Sequence, residues 1–208
     1  MLARRRFLSS TTALAASLAW LDPQCAMSQG VSNIVEMRGD IAVNGRRLAP
    51  DGVIQTGDRV QAGPGSSAGF TIGRDAFLIR PNTDLTLSRG SSLFFISGAR
   101  LITGALLAVF GRSELPRALV APTVTAGIRG TGFYVEVRPD STYFCTCFGT
   151  IVLDSLTGDS ETVIATRHQA RRILATPSGG RSIVTAPFEH HDDVELEQLA
   201  KLVGQRAP

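Results

Sequence analysis

The sequence predicts an all-β domain of short strands, arranged as a β-solenoid-like or sandwich domain and closed by one short C-terminal helix. Three observations predict it. Between Val31 and about Leu174, apolar residues come in short or alternating runs, with no stretch of helical 3.6-residue period. Gly, Pro, Asn and Asp break those runs about every eight to twelve residues, the turn spacing of all-β chains. The 21 glycines and a hydrophobic content of 43% describe a globular, turn-rich chain rather than a disordered one. No fixed repeat period emerges, so sandwich, barrel and solenoid stay open.

The elements follow in order. In IAVNGRRL, Asn44-Gly45 between two short runs is a type I′ hairpin signal. GDRVQAGPGSSAGFTIG reads as strand, Gly-Pro-Gly turn, strand, and AFLIRPNTDLTL breaks at Pro81-Asn82. SSLFFISGARLITGALLAVFG gives three runs punctuated by Gly98 and Gly104. RALVAPTVTAGIRGTGFYVEVRPD gives two more, STYFCTCFGTIVLD another, and SETVIATRHQARRIL a final pair. Only the tail, HHDDVELEQLAKLVGQ, reads as a helix. Asp192 caps it with Glu195 as capping-box partner, Leu196, Leu199 and Val203 form one apolar face, and Gly204 marks the stop. A helix of about twelve residues is marginal alone, so it is expected to pack its stripe on the β domain.

The N-terminus has a different grammar. Arg4-Arg5-Arg6 precede an apolar stretch from Phe7 to Leu21, and Ala26-Met27-Ser28 offers a small-x-small cleavage site. Arg4-Arg5-Arg6-Phe7-Leu8 fits the twin-arginine pattern. The stretch is shorter than the ~20 residues of a spanning helix. Residues 1–28 are therefore expected to be a twin-arginine-type signal peptide, 29–185 the β domain, and 186–208 the C-terminal helix and tail. The expected location is the periplasm, with membrane contact only in transit and Cys25 discarded with the leader.

Cleavage would take three arginines and Asp22 away. Basic residues fall from 21 to 18 and acidic ones from 18 to 17, so the net charge of +3 becomes +1. Lys201 is the only lysine, and no basic run stands outside the leader. A nucleic-acid partner would need a concentrated basic stripe, which excludes that class. Enzyme signatures fail as well. GSSAG, Gly65–Gly69, has the G-x-S-x-G form, but strand-like sequence follows it where a nucleophile elbow needs a helix. GIRGTG lacks the lysine and the βαβ setting of a phosphate loop. No catalysis is expected.

Cys145 and Cys147 in TYFCTCFGT pose the sharpest question. In a straight strand, residues i and i+2 share a face with β-carbons roughly 6.6 Å apart. Two C–S bonds of about 1.8 Å leave a gap near 3.0 Å, too wide for a disulfide of about 2.05 Å. Thiolates on one metal at ~2.3 Å lie about 3.8 Å apart, which this spacing allows. The available histidines are His168, His190 and His191. Two Cys with one or two His would suit Zn²⁺, or Cu⁺ through soft thiolates. Tyr143, Phe144 and Phe148 flank the pair, so two buried core thiols are the competing reading. A bulge at Gly149 would reopen the disulfide.

VTAGIRGTGFYVEV, Val124 to Val137, resembles the signature of the FecR domain family through Arg129, Gly130, Thr131 and Phe133, followed by Val135 and Val137. GDRVQAGPGSSAGFTIGRDAFLIRPNTDLTL and the leading IVEMRGDIAVNGRRL are similar to the same family, so the resemblance runs from about Ser32 to Val152. It implies an exported, β-rich, solenoid-like module that recognises another envelope protein or surface component. The family's best-known members also carry a cytoplasmic segment and a membrane helix that govern a sigma factor. Here nothing precedes the leader, so the recognition module is expected to act without an anti-sigma segment. Taken residue by residue, Gly130 permits a turn or close backbone approach, and the Thr131 hydroxyl can bond nearby backbone. Phe133, Val135 and Val137 share one strand face, and Arg129 braces a loop or meets a partner carboxylate.

Overall fold

The structure, a computed structural model, describes residues 32–207. The leader, its twin-arginine motif and Cys25 lie outside the described residues. The strands are β1 (Ile34–Arg38), β2 (Ile41–Val43), β3 (Arg46–Arg47), β4 (Arg59–Ala62), β5 (Ser67–Ile72), β6 (Asp75–Ile79), β7 (Asp84–Ser92), β8 (Phe95–Thr103), β9 (Ala105–Val109) and β10 (Arg117–Ala121). They continue as β11 (Val124–Val137), β12 (Ser141–Ser155), β13 (Ser160–Ala165), β14 (Gln169–Ser178) and β15 (Arg181–Thr185), and α1 (Asp193–Leu202) follows. The all-β class and the single C-terminal helix hold. All fifteen strands join one sheet, in the order β1-β5-β6-β9-β11-β10-β8-β7-β4-β2-β3, with β12 to β15 branching from β11. The sheet curls into a half-barrel. No helix among the described residues is long and apolar enough to cross a membrane.

The turn chemistry works as the sequence implies. Asn44 and Gly45 both take positive φ (52° and 77°), the type I′ geometry that joins β2 to β3. Asn82, at φ 57°, lies in the turn between β6 and β7.

Two long strands organise the rest. β11 pairs with β12 along most of its length, with β10 through its first half and with β9 through its second. β12 likewise pairs with β14 through its first half and β13 through its second. Both strands kink together, at Gly130 (φ 61°) and Gly149 (φ 92°). A Cβ on Gly149 would stand 2.4 Å from Thr131 Cγ2, and one on Gly130 3.0 Å from Arg112 Cα. Glycine is therefore required at both corners by conformation and by space. The Arg-Gly-Thr-x-Phe element is this corner.

The inner face packs around a row of phenylalanines. Phe70, Phe77, Phe110, Phe133 and Phe144 stand side by side, with successive ring centroids 5.1, 5.5, 5.5 and 5.3 Å apart. All five are fully buried, and aromatic pairs at this spacing add to the hydrophobic term. Val135 joins this core and Val137 packs against it, so the expected alternation holds. Thr131 departs from expectation. Its hydroxyl is buried without a hydrogen-bond partner among the described residues, because its methyl group is what faces the Gly149 corner.

Three further expectations are corrected. Gly98 does not break a strand; β8 runs through it. Its hydrogen faces β10, where a Cβ would stand 2.2 Å from the Ala118 carbonyl oxygen. SETVIATRHQARRIL does supply a pair of strands, β13 and β14, but they lie on opposite halves of β12 and are not the last, since β15 follows on β14. The capping box is one-sided. Asp192 caps α1 by accepting from the Glu195 backbone N–H (2.8 Å), but the Glu195 carboxylate accepts from Arg80 instead (2.6 Å). Leu196, Leu199 and Ala200 are buried against the outer face of β6, β9 and β11, and Gly204 (φ 68°) follows the last turn. Asp192→Ala should cost about 0.5–2 kcal/mol in chemical denaturation, the usual worth of an N-cap.

Candidate metal centre

The kink at Gly149 decides what the first half of β12 presents outward. Tyr143, Cys145 and Cys147 point to the outer face, while Phe144 joins the inner core. Both faces of the strand are buried here, as the flanking aromatics imply. Cys145 and Cys147 are free thiols at 0% and 1% exposure.

Two imidazoles reach the same point from different elements. His168 occupies the turn between β13 and β14, at φ 24°, and its backbone N–H donates to the Cys147 carbonyl. His191 precedes the α1 cap and is 7% exposed. His168 Nδ1 lies 3.7 Å from Cys145 Sγ, and His191 Nε2 lies 3.3 Å from Cys147 Sγ. One donor atom from each of Cys145, Cys147, His168 and His191 falls within 4.8 Å of all the others. A tetrahedral ion with S at ~2.3 Å and N at ~2.0–2.1 Å separates its S and N donors by about 3.6 Å, so the observed contacts bracket that value.

The far side of each imidazole fixes its tautomer. His168 Nε2 is 2.6 Å from Asp193 Oδ1, and His191 Nδ1 is 2.8 Å from the Glu189 carbonyl oxygen. A neutral ring that donates at these atoms carries a lone pair at the atom facing the thiols. This is the outer shell that orients metal-binding histidines. Tyr134 stacks on the His191 ring at 4.6 Å and 14°, holding it in plane. Asp193 is drawn below the usual carboxylate range, first by His168 and then by Arg167.

The thiols share charge unequally. The neighbouring Cys147 thiol pushes Cys145 down to about 5, with the imidazoles of His191 and His168 acting in the same direction against burial. Burial, followed by the Cys145 charge, pushes Cys147 up. A metal held by both sulfurs would take each as thiolate, so its binding would release protons.

His190 does not belong to the site. Its backbone is left-handed (φ 65°), and its Nδ1 sits 2.6 Å from Glu136 Oε2 on an exposed edge, among Arg138 and Glu189. Consecutive histidines therefore serve different partners. Asp193 and the Glu189 carbonyl are the contributors that sequence reasoning missed: acids at a helix start read as dipole partners, and a backbone carbonyl leaves no mark in composition. Of the motif residues, Gly130 and Phe133 are structural, and Arg129 is exposed. Ser67 of GSSAG lies in β5 with strand following it, so no nucleophile elbow forms.

No protein-family model matches the chain, and no curated protein matches its sequence. Solved structures do match. The 2.50 Å crystal structure of a candidate anti-sigma factor from Parabacteroides distasonis ATCC 8503 aligns with TM-score 0.51 and 13% identity, over 73% of this chain and 66% of that one. A 1.65 Å structure of a candidate anti-sigma factor from the same organism gives TM-score 0.50 and 13% identity, over 70% of this chain and 65% of that one. The chain thus spans just under two thirds of the length of these structures, and at this identity what it shares with them is the fold.

Proposed function

We propose that this chain is an exported, non-catalytic, FecR-like sensing module that carries one metal ion in the Cys145–Cys147–His168–His191 centre. One observation carries the metal reading: four buried or nearly buried donors converge within 4.8 Å, with both imidazoles oriented from behind. Four protein donors leave no open position, the mark of a structural rather than a catalytic site. Two thiolates and two neutral imidazoles balance a divalent cation, and a neutral cluster is the form that burial favours. Zn²⁺ is therefore the expected ion, ahead of Cu⁺, which would leave a net negative charge. The sensing role is supported by the anti-sigma-type fold and the motif residues, and export by the leader.

The test is metal analysis of natively purified protein. About one Zn²⁺ per chain is expected, with none in Cys147→Ser. Equal metal content in both proteins, or none in either, would sink the metal reading. Export is read separately by fractionation: the trimmed chain should be periplasmic, and Arg4→Lys/Arg5→Lys should hold it in the cytosol. Untrimmed cytosolic protein from wild-type cells would refute export and leave the metal centre standing.

A further inference from the structure

The outer face of the sheet has two halves, because β11 and β12 run through both and kink between them. On one half α1 seats Leu196 and Leu199 over Leu78, Ala105 and Leu107, and the Arg80–Glu195 ion pair closes the edge. On the other half no helix among the described residues packs over the strands. Arg129, Thr150 and Ile164 form one outward row across β11, β12 and β13, and Gly127, Val152 and Thr162 form the next. Ile164 is 73% exposed. The segment 112–116 stands beside these rows and shapes a groove of about 530 Å³ over Gly127 and Val152, with Leu115 on its wall.

Two features give the groove a chemistry. Arg112 and Arg129 flank it, and neither guanidinium forms an ion pair among the described residues. Glu114 is the one acid on its lining. Gly127 has no packing reason to be glycine: its φ is ordinary, and a Cβ there would meet only Val152, at 3.7 Å or more. A bare strand position over open space is where another chain approaches closely.

We propose that this half docks an acidic amphipathic helix of a partner protein. Its apolar stripe would lie on Val152, Ile164 and Leu115, and its carboxylates would meet Arg112 and Arg129. The chain's own α1 is the precedent: an acidic amphipathic helix on the same outer face, tied by a carboxylate to an arginine at the rim. The inference rests on the sensing part of the proposed function and is independent of the metal.

The probe is a synthetic helical peptide of about fifteen residues with a leucine stripe and glutamate flanks, compared with its lysine-flanked counterpart. Both are titrated into ¹⁵N-labelled protein. The glutamate peptide should shift the amides of Gly127, Arg129, Val152 and Ile164, and added salt should weaken it. Arg112→Glu/Arg129→Glu should weaken binding about tenfold or more. Gly127→Leu, which fills the groove without touching the core, should abolish it. Equal binding of the lysine peptide, shifts confined to β6 and β9, self-association of the protein through the same residues, or no binding at millimolar peptide would each overturn the proposal. Metal content is measured in every variant, so loss of docking with the metal retained is assigned to this surface and not to the metal centre.

Discussion

Chelating the proposed metal from the purified protein should strip backbone-amide protection from α1 and residues 186–192 while leaving β5, β6 and β9 protected. Two of the four proposed ligands tie directly to the start of the helix. His191 immediately precedes the Asp192 cap, and His168 holds Asp193, the first helical residue. A ten-residue helix cannot sustain itself in water, and its apolar footing is Leu196, Leu199 and Ala200. Structural Zn²⁺ sites in zinc-finger peptides contribute on the order of 10–16 kcal/mol to folding. Here the phenylalanine row is packed by its own neighbours, away from the four donors, so the ion's effect should concentrate in the C-terminal strap. Opening free energies there should fall from the global value toward about zero. Cys145→Ser/Cys147→Ser should reproduce the chelated pattern. The measurement is hydrogen exchange with and without chelator. Uniform loss of protection across the whole sheet, or no change in α1, would contradict the assignment of the metal to this strap.

Asp75→Ala should destabilise the domain by about 3–5 kcal/mol, the cost of leaving one member of a buried ion pair unpaired. Asp75 and Arg117 are each 3% exposed at the side chain, and Arg117 Nη1 donates to both carboxylate oxygens at 2.8 and 2.9 Å. Asp75 Oδ1 also accepts from the Gly111 N–H (2.8 Å), while Arg117 donates to the Gly111 carbonyl and lies 4.8 Å from the centre of the Phe110 ring. Burial pushes the Asp75 carboxyl up, and Arg117 with the Gly111 N–H pulls it back. The pair fastens the chain between β9 and β10 to the start of β6. Arg117→Met alone should cost a similar amount. The double variant Asp75→Leu/Arg117→Met should lose far less than the sum, about 1–3 kcal/mol, because only the Gly111 groups are left unsatisfied. Urea unfolding of the four proteins completes the cycle; additive losses would mean that the two side chains do not act as a pair.

The elements were largely legible because turn chemistry is local. Asn44-Gly45, Pro81-Asn82 and Gly104 announce their turns through their own backbone preferences. What escaped was pairing. Nothing in SETVIATRHQARRIL says that its two strands attach to different halves of β12, since that follows from a kink at Gly149 more than ten residues upstream. Gly98 reads as a break because its actual reason, the approach of Ala118 from a parallel neighbour, lies twenty residues away. The candidate site was legible as residue types and not as a set. The sequence groups Cys145, Cys147, His168 and His191 with His190, and it is the left-handed backbone at residue 190 and the Glu136 carboxylate that take His190 away from its neighbour. Arg129 was expected to brace a loop or meet a partner, and its exposure beside Arg112 is what points outward.

The four proposed donors enter the growing polypeptide at positions 145, 147, 168 and 191, so the proposed grip on an ion would be complete only once residue 191 has been made. A chain interrupted before residue 191 would carry at most three of them and bind weakly. Occupancy would then report that the chain had been made through residue 191 and that His191 had come home to Cys147 on β12.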